Sequence, residues 1–312
     1  MTPFQPAYYY YLGLAQKFLD DLPSDPQTLR KRIVWRIEDD ATVPDDLLTE
    51  LHSAGVATFG HSIDVSKTTV KSYTAIVPNF HFIEDTGFRE VISRINKHAK
   101  PFLARSQRVF WTGATTGHPC NGALNCEKTC EDVARVKLVR SARGVPWLNC
   151  SLTKASQWCA SSEEELRSSK LLSHYIAEHE WIINRGLIDI DGNVDAWGLS
   201  WRLQSGSVVF IVESSYANFF SRYLVDGVHY FSISRDLSNL REKTSIIQSN
   251  DTKIMQKLSQ MADSSRLLME GLNYASTLTD VARALQGSSP RSLGFFMKVF
   301  AFKGAFRFVE DI

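Results

Sequence analysis

Residues 207–214 read SVVFIVES, with Val208 to Val212 apolar without a break before Glu213 and Ser214. An apolar run that short, with no polar alternation, belongs to a strand covered on both faces, as the strands of a parallel sheet are. Upstream, a helix is expected from about 195 to 205, ahead of Gly206, and GLIDI (186–190) reads as a strand running out into Asp189-Ile190-Asp191-Gly192-Asn193. Before it, SSEEELRSSKLLSHYIAEHEW (161–181) reads as one helix with a Ser cap and acids in its first turn. Downstream, YANFFSRYL (216–224) reads as a short helix, HYFSIS (229–234) as a strand, and RDLSNLREKTSIIQ (235–248) as a helix with Asp236 near its N-terminus. Strand and helix alternate throughout, which is the pattern of an α/β protein with mainly parallel sheets.

The first half carries the same alternation less cleanly. A helical period covers 7–20, RIVWRI (32–37) is a buried strand, and Pro44, Asp45 and Asp46 open the next helix. VATFGHSI (56–63) and YTAIVPNFHF (73–82) are strand candidates, FREVISRINKHA (88–99) is helical, and SQRVFWTGA (106–114) is a strand entering a loop that lasts to about Cys130. The two halves suggest two Rossmann-like domains, 1–160 and 161–285, with 286–312 as a C-terminal segment returning to the first.

Composition removes several classes of function. Thirty-five Lys and Arg against 34 Asp and Glu leave a formal charge of +1, without the positive field that nucleic-acid binding needs. No apolar run is long enough to span a bilayer, and the N-terminus lacks the basic and apolar regions of a signal peptide. The cytoplasm is the expected location. Five cysteines, an odd count in a long chain, argue against a disulfide framework.

Carboxylates at strand ends matter because open parallel sheets bind ligands there. Asp39 follows the 32–37 strand, where it suits either a general base or a helix cap. Asp189 and Asp191 are not an EF-hand loop, since Val194 and Ser200 occupy the positions of its Gly and Glu, and they read as a metal-binding pair or a turn. Cys120, Cys126 and Cys130, near His118, have spacings that favour idle thiols over zinc. His174 and His179, five apart, do not share a helix face. Phosphate-loop, nucleophile-elbow and dinucleotide-binding glycine motifs are missing. The tail from Leu293 interleaves six phenylalanines with Lys298, Lys303 and Arg307, which suits a peripheral membrane contact or packing onto the first domain.

The block from Asp189 to Asp251, with its D-G pair, SGS-V-V strand, F-F helix, V-H-Y and D-L-S-N-L, resembles the C-terminal signature of glycosyltransferase family 90. That family holds capsule-associated and lipopolysaccharide-core sugar transferases and protein O-glucosyltransferases. RVFWTGATTG and IEDDATVP extend the likeness upstream, so that it runs from about 33 to 270. The resemblance implies a GT-B fold, two Rossmann-like domains facing a central cleft, with acceptor on the first and UDP-sugar on the second. It implies Asp39 as the base, Gly113, Thr115 and Thr116 in the loop beside it, and Asp191 and Gly192 opening the donor loop. It also implies that the nucleotide is held by His229 to Arg235, including Phe231, with Ser234 and Arg235 nearest the phosphates or ribose. Where eukaryotic members carry a Ser-Arg pair this chain has Ala196 to Gly198, so Arg202, Arg235 or Arg135 is expected to meet the diphosphate. The reaction so implied is transfer of a glucose or xylose-like sugar from a UDP-sugar to a hydroxyl of a lipopolysaccharide or capsule glycan, free or lipid-linked, with no metal or other cofactor. Transfer to a protein serine, or a non-catalytic glycan- or nucleotide-binding role, are the alternatives.

Overall fold

The computed structural model describes residues 5–23, 32–36, 45–69, 74–117, 119, 127–287 and 297–300. The chain divides into two compact units, one of Met1–Gly87, Ser215–Arg222 and Leu272–Ile312, the other of Phe88–Ser214 and Tyr223–Gly271. The expected boundary at residue 160 falls inside the second unit, whose sheet draws on chain from both sides of it.

In the first unit β1 (Arg32–Arg36), β2 (Val56–Gly60), β4 (Thr74–Ile76) and β11 (Met297–Phe300) form a parallel sheet in the order β11-β1-β2-β4. Two short strands, β3 (Ile63–Asp64) and β9 (Tyr216–Ala217), pair antiparallel. The helix Gln5–Asp20 buries Leu14, Ala15, Phe18 and Leu19, one stripe at helical spacing. Phe18 meets the Tyr274 ring edge-on at 6.3 Å, and the Tyr274 hydroxyl donates to Asp21 at 2.9 Å. The strand expected over 73–82 stops at Ile76, because Pro78 cannot extend a ladder and Asn79 caps the helix Phe80–Glu84 by accepting from the Phe82 amide at 2.9 Å. YANFFSRYL is not a helix: it holds β9 and a single turn at Ser221–Tyr223.

The second unit is built on five parallel strands, β5 (Ser106–Ala114), β6 (Leu148–Lys154), β7 (Asn184–Asp189), β8 (Val208–Val212) and β10 (Phe231–Ile233), in the order β10-β8-β7-β5-β6. All six residues of the central β7 are buried, and Val208, Val209 and Phe210 of β8 have no exposed surface. Gly186 lets β7 sit this close to its neighbours, since a Cβ there would lie 2.8 Å from Val109 and 3.0 Å from Phe210. The helix expected over 161–181 is broken into Glu163–Ser168 and Glu178–Trp181. Between them Lys170 turns left-handed at φ 55°, and the Ser173 amide donates to the Leu152 carbonyl at 2.6 Å, so the chain lies along the β6 edge. The helix expected from Asp236 begins only at Leu240, because Asp236 accepts from the Ser238 amide and holds the chain in a turn. Among the described residues no helix is long and apolar enough to cross a membrane.

Cys130 is neither an idle thiol nor a zinc ligand: it is bonded to Cys159, 29 residues on, with both side chains buried. Cys120, Cys126 and His118 lie outside the described residues. Cys150 is a free thiol whose pKa burial pushes up to about 12. A bridge closing a loop of this length restricts the unfolded chain, so Cys159→Ser should lower the unfolding free energy by about 3 to 4 kcal/mol. Denaturant titration of wild type and variant measures this directly, and wild type under reductant should converge on the variant.

Candidate functional site

The strand order of the second unit fixes where its loops part. The chain passes from β5 to β6 on one side, returns to β7 on the other side of β5, and then continues outward through β8 and β10. The order therefore reverses between β5 and β7, and the loops leaving their carboxyl ends diverge. In doubly wound sheets that crevice is where ligands bind. Here its walls are Ala114 to Gly117 after β5 and Ile190 to Asn193 after β7.

One side chain spans the gap. Arg135, in the first turn of the helix Ala134–Ala142, donates from Nε to the Asp191 carbonyl at 2.9 Å and from Nη2 to the Ile190 carbonyl at 3.2 Å. Its Nη1 donates to the Ala114 carbonyl at 3.2 Å and to the Thr116 hydroxyl. The guanidinium thus ties the β5 loop to the β7 loop. Burial, with Arg202 adding repulsion, pulls its pKa down to about 10, which leaves it charged at neutral pH. The two loops also meet backbone to backbone. A Cβ at Gly192 would lie 2.7 Å from the Thr116 hydroxyl, and one at Gly117, whose φ is +123°, would lie 3.1 Å from the Gly192 carbonyl.

Beside this clamp lie three acids, Asp189 and Asp195 buried and Asp191 half-buried. Asp189, the last residue of β7, is ion-paired with Arg202, whose guanidinium sits 5.1 Å from the rings of both Trp181 and Trp201. Gly198 makes room for it, since a Cβ there would lie 3.1 Å from its Nη atoms. Asp191 accepts from the Ser214 hydroxyl, which follows β8. Burial pushes Asp189 up to about 6 and Asp191 up to about 7, with the neighbouring carboxylates adding to both.

Of the residues expected from the sequence, Gly113, Thr115, Asp191, Gly192 and Arg202 come together at this edge. Thr115 is wholly buried: its hydroxyl donates to the Ser156 carbonyl at 3.1 Å and accepts from the Ser156 amide at 2.8 Å, so it locks the loop rather than lining it. Arg202, expected to meet a diphosphate, is committed to Asp189. His229, Phe231, Ser234 and Arg235 lie at β10, on the outer edge of the sheet with β8 between them and β7. The His229 Nδ1 accepts from the Val225 amide at 3.0 Å and burial lowers its pKa, Phe231 stacks on Phe210 at 5.7 Å, and the Ser234 amide donates to Asn239. Arg235 is exposed. Asp39 lies outside the described residues. Sequence reasoning did not single out Ser214, Asp195 or the two tryptophans. The strand-end rule that marked Asp189 and Asp191 applies equally to Ser214, two residues beyond β8.

The model of the family described as glycosyl transferase family 90 matches residues 76–274. An uncharacterized protein, 179R, of Invertebrate iridescent virus 6 is 25% identical over 176 residues, which is 49% of this chain and 14% of that protein. The chain therefore matches about one seventh of the length of this relative. Among solved structures, Anabaena HepE in complex with UDP-glucose superposes with a TM-score of 0.49 at 12% identity, over 82% of this chain and 72% of that one. The same protein in complex with UDP gives 0.49 at 13% identity, over 88% and 75%.

Two outcomes follow from the clamp and the acids beside it. Lysine can replace the charge of Arg135 but not its planar fan of donors, so Arg135→Lys should destabilise the fold by about 2 to 4 kcal/mol, read by chemical denaturation. Asp191 holds its proton in the folded state up to about pH 7, whereas its ordinary pKa is 3.8, so its contribution to stability is greatest in acid and is lost as pH rises from about 4 to about 7. Asp191→Asn should flatten the fall in stability across that window. Parallel pH profiles of wild type and variant would refute the assignment.

Proposed function

The chain belongs to glycosyl transferase family 90, and on that premise we propose that it moves a glucose or xylose-like sugar from a UDP-sugar to a hydroxyl of a lipopolysaccharide or capsule glycan. The observation that carries this reading is that the matched residues, 76–274, contain the whole five-stranded sheet and the crevice between β5 and β7. A GT-B arrangement is part of the proposal, supported by two units that each hold a parallel sheet of their own. Asp39 is proposed to take the proton from the acceptor hydroxyl as its oxygen attacks the anomeric carbon and UDP departs. The departing diphosphate needs fixed donors. Of the three arginines expected in that role, Arg202 is paired to Asp189 and Arg135 holds loop carbonyls, which leaves Arg235, exposed and beside β10 rather than at the crevice. No metal or cofactor is invoked, and the peripheral membrane contact expected of the aromatic and basic tail falls on residues of which only Met297–Phe300 are described, as β11.

A second reading, transfer to a protein serine, is favoured by the Cys130–Cys159 bridge. A buried disulfide suits an oxidising compartment rather than the cytoplasm expected from the sequence, and a chain working there would meet secreted proteins as acceptors.

The deciding measurement is UDP release by the purified chain from a panel of UDP-sugars, with glycan and serine-peptide acceptors in parallel and EDTA in a matched set. Transfer is expected, undiminished by EDTA. Asp39→Asn should retain UDP affinity and lose about 10²- to 10⁴-fold in turnover. Binding of UDP without turnover for any donor would replace this account with the non-catalytic one.

A further inference from the structure

His179 has no helical partner at His174, but the fold supplies one from elsewhere in the second unit. The break in the 161–181 segment brings the short helix Glu178–Trp181 against the helix Arg89–His98, where an Arg94–Glu178 ion pair at 3.8 Å joins them. At this junction the rings of His98 and His179 lie 4.7 Å apart, centre to centre, inclined by 34°. His98 is exposed and His179 partly so.

The hydrogen bonding of His98 fixes which nitrogen is available. Its Nδ1 is 2.9 Å from the Arg94 carbonyl, which can only accept, so Nδ1 carries the proton and the lone pair is on Nε2. A histidine whose second nitrogen donates to a backbone carbonyl is the usual arrangement around a bound metal, because it fixes the tautomer and raises ligand basicity. The separation admits one ion once each ring turns a nitrogen toward a common point: a metal about 2.1 Å from an imidazole nitrogen is about 3.2 Å from the ring centre, so centres at this spacing would subtend about 95°. That lies near octahedral and square-planar angles and within reach of the tetrahedral one after a small ring rotation.

We propose that His98 and His179 form a surface site for a divalent transition metal of the zinc, nickel or copper class. Imidazole pairs select such ions over magnesium and calcium, which prefer oxygen. Among the described residues no group of three or more His, Cys, Asp or Glu side chains is placed to hold a metal, so water completes the coordination. The Glu178 carboxylate is already engaged by Arg94 and by the Tyr175 hydroxyl at 3.1 Å. A bound ion would staple the first helix of the unit to the chain entering β7.

Calorimetric titration of zinc chloride into the untagged chain tests this, with His98→Ala, His179→Ala and the double variant beside it and His174→Ala as control. One ion per chain is expected for wild type and the control, with affinity falling by about tenfold or more in each single variant. Copper(II) titrated into wild type gives an independent reading, since its electron paramagnetic resonance spectrum reports the number of bound nitrogens, and two are expected. Equal zinc affinity in the double variant, no binding by wild type, or fewer than two nitrogens on copper would each overturn the site.

Discussion

A parallel sheet whose strand order turns back on itself leaves two loops diverging at its carboxyl edge, with no ladder between them to hold them together. Here a single guanidinium resolves that difficulty. Arg135 reaches the carbonyls of Ala114, Ile190 and Asp191 and the Thr116 hydroxyl, so the positions of both loops depend on one planar group. The glycines follow from it, since Gly117 and Gly192 allow the loops to close under the clamp. The helix that carries Arg135 is itself fixed just upstream by the Cys130–Cys159 bridge.

The clamp also sets the electrostatics of the edge. Two arginines lie among three aspartates, and both are spent within the protein: Arg135 on carbonyls, Arg202 on Asp189 between two indole rings. What remains at this edge is a set of acceptors, most of them buried or already bonded within the protein. Asp191, held near its titration point by burial, adds a group that changes from donor to acceptor close to neutral pH.

Much of this was legible in the sequence because period and burial agree there. SQRVFWTGA matches β5 residue for residue, and the apolar run at 208–212 is β8. The 161–181 segment misled because its composition is helical throughout, whereas the bond between Ser173 and Leu152, a tertiary contact, decides its conformation. The start of the 235–248 segment misled for the opposite reason, since an aspartate that caps helices also makes turns, and Asp236 makes a turn. At the site, strand ends pointed to Asp189 and Asp191, but the spacing of Arg135 and Arg202 from their partners, 56 and 13 residues, exceeds any local pattern. The pairing of Cys130 with Cys159 is hidden likewise, since nothing local relates two cysteines 29 residues apart.

The first unit is discontinuous: its sheet takes β1 from near residue 34 and its neighbour β11 from near residue 298, with the second unit occupying most of the chain between. A ribosome delivers these pieces in order. The second unit is complete once Gly271 has emerged, whereas β1 has then been waiting without its partner on one edge through most of translation. Vectorial synthesis therefore favours early folding of the second unit, and it leaves an unpaired strand edge on the nascent first unit that chaperones, or other nascent chains, can reach.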